Sequence, residues 1–156
     1  IEAESSQVYL SMACWAEIQG LEGVAQFMYR QSDEERLHML KLIKYVNERG
    51  GHEAITDLKA PKTAFGNFKE MFTELYQHEL FVSDSINQLV HVTFDEKDYA
   101  THNFLQWYVA EQIEEEAQAK NILDKINLIG DDKGGLYLFD RDIQQITVTS
   151  SIGTIK

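Results

Sequence analysis

The chain has a single proline, Pro61, and its nine glycines are gathered into a few places: Gly20 and Gly23, Gly50-Gly51, Gly66, Gly130, Gly134-Gly135 and Gly153. Proline and glycine are the residues that most often interrupt regular structure. The stretches between them are long and place apolar residues at the 3.6-residue period of a helix. The sequence therefore predicts helices over about 1–19, 22–49, 67–92, from 96 or 98 to 129, and 136–146. Gly50-Gly51 is the stop of the second helix and Asn67 the N-cap of the third. Four rods of about 25 residues would each be about 38 Å long. Short links after the first and third helices make antiparallel neighbours, and the Pro61-containing segment 50–66 is long enough to run the length of a bundle. The fold class expected is all-α, an antiparallel four-helix bundle with one long crossover connection and a short C-terminal fifth helix.

Charge narrows the partners. Lys plus Arg is 14 and Asp plus Glu is 26, a net charge of −12. Such a surface repels phosphate, so no nucleic acid and no anionic membrane face is expected as a partner, whereas cations are. No apolar run approaches the roughly 18 residues of a membrane span. Cys14 is the one cysteine, which excludes an intrachain disulfide and fits a reducing compartment. It is expected to be a small buried residue. The chain opens at Ile1 directly in helix-like sequence, with no basic and apolar leader pattern. The first helix is expected to begin upstream of Ile1, and the location to be cytoplasmic. Residues 1–156 read as one domain, with 147–156 as a tail rich in Ser, Thr and Ile.

Acidic residues inside apolar stripes carry the chemistry. Residues seven apart share a helix face. In the third helix Phe72, Leu75, Val82, Ile86 and Leu89 form a stripe with Glu79 at its centre. In the second, Glu35 lies seven from both Met28 and Leu42, in line with Val46, and His38 follows one turn on. In the fourth, Glu111 is seven from Phe104, and Glu115 is seven from Tyr108 and Ile122. In the first, Glu2 shares a face with Tyr9 and Ala13. Ionised carboxylates are costly to bury unpaired. Two of them about 4 Å apart repel by about 4 kcal/mol at an effective dielectric of 20. The stripes hold no Lys or Arg, which leaves shared protons, displacement to the rim, or bound multivalent cations. Cations also account for His38, and Glu with His suits iron, manganese or zinc better than calcium.

The spacing Glu35-x-x-His38 is that of di-metal carboxylate bundles, which take a Glu from each of two helices and Glu-x-x-His from the other two. Here Glu2 and Glu79 are the single carboxylates, and Glu35 with His38 the first pair. The fourth helix departs: Gln118 stands where a His is expected three residues after Glu115, and Gln112 stands three before it.

The segments Glu2-x6-Tyr9, Glu34-Glu35-x-x-His38, Glu79, Asn103–Tyr108, Trp107–Glu116 and Gly134-Gly135-Leu136-Tyr137 resemble the bacterial non-haem ferritins over nearly the whole chain. The resemblance implies an iron-storage protein with a ferroxidase centre, taking Fe(II) and dioxygen or hydrogen peroxide. Carried onto this sequence, Glu2, Glu35 and His38 hold the first iron, Glu35 bridges, and Glu79 and Glu115 hold the second with Gln112 beside them. A third iron position would fall to Glu34, Glu111, Glu114 and Glu115. Tyr9 matches a tyrosine that hydrogen-bonds near the centre and can lend an electron, and Trp107 a nearby aromatic. Glu35, Glu115 and Tyr9 are thus the candidate catalytic residues. The family implies a homo-oligomeric shell of 24 subunits. Bacterioferritins fit less well, because Arg36 stands where they carry a haem-binding Met; no haem is expected. Mini-ferritins lack the fifth helix. A rubrerythrin-like enzyme usually adds a Cys-x-x-Cys iron site, which one cysteine cannot supply. A helical scaffold with a solvated acidic face is the remaining alternative, and it would bind no stoichiometric ion.

Overall fold

A computed structural model describes residues 1–146; the Ser/Thr-rich tail 147–156 lies outside the described residues. Five helices follow one another: α1 (Glu2–Ile18), α2 (Glu22–Glu48), α3 (Phe68–Asp95), α4 (Tyr99–Ile129) and α5 (Lys133–Ile143). Among the described residues there is no strand.

Three of the helices stop in the same way. After α1, Gly20 takes φ 75° and after α2, Gly50 takes φ 82°. The Gly20 N–H donates to the Glu17 carbonyl at 2.9 Å and the Leu21 N–H to Ala16 at 3.0 Å. The pair Gly50 to Asn47 and Gly51 to Val46 repeats the pattern at 3.1 and 2.9 Å. Each turn satisfies two carbonyls that a helix end would leave without donors. After α3 the left-handed position falls on a lysine, Lys97 with φ 56°. Its N–H reaches Phe94 at 3.1 Å, and that of Asp98 reaches Thr93 at 2.8 Å. Because no glycine marks this stop, the sequence ends the helix at 92, whereas α3 continues to Asp95.

Side-chain oxygens start three helices. Asn67 accepts from the Glu70 N–H at 2.8 Å, Asp98 from Thr101 at 3.0 Å, and Asp132 from Gly134 and Gly135 at 3.3 and 2.8 Å. Such caps are each worth about 1 kcal/mol. The Asp132 cap corrects the start of the fifth helix, expected near 136: it supplies acceptors to the two glycine amides, so Gly134 and Gly135 lie inside the first turn. α5 accordingly ends at Ile143.

The described residues form two compact units, Ile1–Phe65 with the segment from Asp132 onward, and Gly66–Asp131. In the first, α1 and α2 make an antiparallel hairpin with Tyr9, Met12, Ala13, Ala16, Val24, Ala25, Phe27 and Met28 buried. Ser6 and Ser32 tie the two helices reciprocally, each hydroxyl donating to the other residue's carbonyl at 2.8 Å. The segment leading to Phe65 lies along α1: Ser11 donates to the Lys62 carbonyl at 2.7 Å, and Trp15 meets Phe65 edge-on at 5.6 Å. α5 packs on the start of α2, where the Val24 N–H donates to Asp140 at 2.9 Å and Arg30 reaches the carbonyls of Gln144 and Ile146. A methyl at Gly23 would stand 1.7 Å from the Asp140 carbonyl oxygen, so only glycine permits this approach.

In the second unit α3 and α4 make the other hairpin. Met71, Phe72, Leu75, Val82 and Ile86 are buried on α3, and Leu105, Tyr108, Ala119, Ile122 and Ile126 on α4. Phe94 packs against His102 at 4.3 Å beside the tip. Leu89, expected in the stripe, is 44% exposed. Leu42, Val46 and Phe104 are half-buried. Cys14, expected inside, is exposed.

Candidate metal centre

The α1–α2 hairpin brings Glu2, Glu35 and His38 together. All three are buried, and each offers a ligand atom within 4.8 Å of the others. The antiparallel register sets the first turn of α1 beside the middle of α2, and the i, i+3 spacing aims Glu35 and His38 in one direction. His38 Nδ1 lies 3.4 Å from a Glu35 carboxylate oxygen. Burial, with Lys41 adding to it, lowers the His38 pKa to about 4, so the imidazole is neutral at pH 7 and able to ligate. Burial raises Glu2 above the ordinary carboxylate value, opposed by its hydrogen bond with Glu35. Two carboxylates and a neutral imidazole at this spacing are a donor set for one divalent transition-metal ion.

The α3–α4 hairpin carries the second group. Glu79 is 1% exposed, and Gln112 donates through Nε2 to its carboxylate at 2.8 Å and to its backbone carbonyl at 3.1 Å. Gln112 thus holds Glu79 in place. Glu111 and Glu115 are buried in the same unit. So is Glu34 in the first. Glu114, expected among the third-site acids, is instead exposed. It precedes Glu115 by one residue and is therefore turned about 100° away around the helix. Tyr9 is buried, and Trp107 is half-buried, meeting Tyr108 edge-on at 4.8 Å.

Two features escape the sequence pattern. Gln31 is fully buried one turn before Glu35, yet a glutamine between Arg30 and Ser32 carries no signal of its own. Ser83, on α3, donates a hydrogen bond to Glu116 on α4. That contact joins residues thirty-three apart and no periodicity announces it.

Two helical hairpins, each burying carboxylates, one of them with an imidazole among them, define a carboxylate-and-histidine metal-binding helical protein. A family model described as "Ferritin-like domain" matches residues 1–129. The chain belongs to that family. It is 44% identical over 147 residues to a probable bacterial non-heme ferritin-like protein of Haemophilus influenzae, covering 94% of this chain and 89% of that one. It is 43% identical over 148 residues to a bacterial non-heme ferritin of Campylobacter jejuni, covering 95% and 89%. Among solved structures, a humanized archaeal ferritin matches with TM-score 0.93 and 42% identity over 96% of this chain and 90% of that one. An open-pore ferritin of Archaeoglobus fulgidus matches with TM-score 0.92 and 40% identity over 94% and 90%. The architecture is the all-α one expected, a four-helix bundle with a short fifth helix. Family and structural neighbours support iron storage with ferroxidase activity in a shell.

Proposed function

We propose that the chain takes Fe(II) as its substrate, with Glu2, Glu35 and His38 receiving one ion, Glu79 and Glu115 a second, and Glu35 bridging. The observation that carries this reading is the buried group Glu2, Glu35 and His38, whose ligand atoms lie within 4.8 Å of one another. Binding Fe(II) there gives the buried negative charge its counter-ion. Two Fe(II) then give one electron each to dioxygen, which leaves with two protons as hydrogen peroxide. With peroxide as oxidant, the same two electrons and two protons yield two waters. Glu34, Glu111 and Glu115 are the proposed acids of a third iron position, without Glu114. Tyr9 is the proposed hydrogen-bonding residue near the pair, and Gln112 orients Glu79. The ferric product is stored as mineral inside a shell of 24 copies in the cytoplasm.

The test is Fe(II) oxidation in air by the assembled protein, followed as Fe(III) absorbance. Glu35→Ala and His38→Ala should each slow the fast phase at least 10-fold. Wild-type rates in both variants would overturn the assignment.

A further inference from the structure

The second unit contains a hydrogen bond for which the metal-binding reading has no use, between Ser83 and Glu116. Glu79 and Ser83 are four residues apart on α3; Gln112 and Glu116 are four apart on α4. Residues at that spacing sit on one face, a turn apart. The bond from Gln112 to Glu79 and the bond from Ser83 to Glu116 are therefore two straps joining the same faces of the same two helices. Glu115 lies in sequence between the two α4 anchors.

We propose that Ser83 is a positioning residue for the second iron: by engaging Glu116 it fixes the position of α4 along α3, which keeps Glu115 level with Glu79, each sixteen residues from its helix's end at the α3–α4 turn. The proposal rests on the di-iron reading above. Glu111, Glu114, Glu115 and Glu116 crowd one stretch of α4, and only some of them can face inward. A slide of α4 along α3 by about one turn would set Glu111 where Glu115 stands, and a smaller slide would draw Glu115 off the level of Glu79. Because α3 and α4 run antiparallel, the two bonds cross: Ser83 lies one turn from Glu79 toward the α3–α4 turn, and Glu116 one turn from Gln112 away from it. One bond alone resists sliding of α4 along α3 in one direction; the crossed pair resists it in both. Ser83 also occupies the Glu116 carboxylate, so the half-buried acid next to Glu115 does not compete for the ion. Serine fits the task, since its hydroxyl donates to a carboxylate without bringing a charge that would repel iron.

Cobalt(II) titration of the assembled protein tests this, read by calorimetry and visible absorbance. Wild type should bind at least two equivalents per chain, and Glu79→Ala identifies the second by abolishing it. Ser83→Ala should weaken that second equivalent about 10-fold, the usual loss when a partner of a metal ligand is removed, and leave the first unchanged. Glu116→Ala should reproduce the effect from the other side of the bond. Ser83→Thr, which keeps the hydroxyl, and Glu116→Gln, which keeps an acceptor oxygen, should both behave as wild type. Wild-type affinity for both equivalents in Ser83→Ala and Glu116→Ala overturns the proposal, as does an equal weakening of both equivalents. A wild type that binds no cobalt overturns the di-iron reading itself.

Discussion

His38 shows how burial selects a ligand. With its pKa lowered from 6.5 to about 4 by burial and Lys41, the folded protein holds the ring neutral where an unfolded chain would protonate it. Between those two values the unfolded state binds more protons, so the metal-free protein loses stability as the pH falls from 6.5 toward 4, by about 3 kcal/mol in all. Glu2 acts with the opposite sign. Its raised value favours the fold below the ordinary 4.5, and that contribution is lost as the pH rises through the folded value. Urea midpoints of metal-free protein at pH 7 and pH 5 should therefore fall further for wild type than for His38→Gln. Equal shifts would show that His38 is not the group responsible. Of the proposed ligands, Glu35 and Glu79 were legible from the stripes, since each stands where an apolar residue belongs, and His38 from its i, i+3 spacing to Glu35. Gln31 and the Ser83–Glu116 bond were not, because a neutral amide or hydroxyl breaks no pattern.

At the level of the helix, the signals that were readable are those with a local mechanism. Gly20 and Gly50 take the left-handed turn that ends a helix, and Asn67 supplies the oxygen that begins one. The misses share a cause: another residue did the work expected of glycine or its absence. Lys97 occupies the left-handed turn after α3 with φ 56°, at a cost of about 1 kcal/mol for a residue with a Cβ. Lys97→Gly should raise stability by up to about 1 kcal/mol, read as a higher melting temperature. Gly23 lies against the Asp140 carbonyl, 1.7 Å from where a Cβ would stand. Gly23→Ala should cost about 1–3 kcal/mol by overpacking and release α5. Hydrogen exchange should then show lost protection over Lys133–Ile143, and unchanged protection would refute that packing. Leu89 was misplaced because a helix periodicity gives the phase of a stripe but not where along the rod it stops being covered, and Cys14 because a residue type's usual burial does not say which face it stands on.

At the level of the whole protein, storage requires enclosure. Twenty-four chains of 18.0 kDa give a particle of about 430 kDa. Sedimentation should find that mass, and aerobic Fe(II) loading should increase the particle's density without changing its radius. A monomer or dimer under all conditions would leave no room for mineral and would sink the storage reading. No helix among the described residues is long and apolar enough to cross a membrane.

The division of ligands between two hairpins has its own consequence. Glu2, Glu35 and His38 are encoded in one contiguous piece of the gene, and Glu79, Gln112 and Glu115 in another. Each piece is a cassette. Recombination between relatives can therefore exchange the proposed Glu79 and Glu115 position while the Glu2, Glu35 and His38 piece, with its proposed bridge, is copied intact, and the Gln118 departure from the two-histidine pattern falls wholly within the second cassette. On the proposed assignment the second position is thus open to selection against a constant bridge, and laboratory chimeras cut at residues 65 and 131 can vary that piece alone.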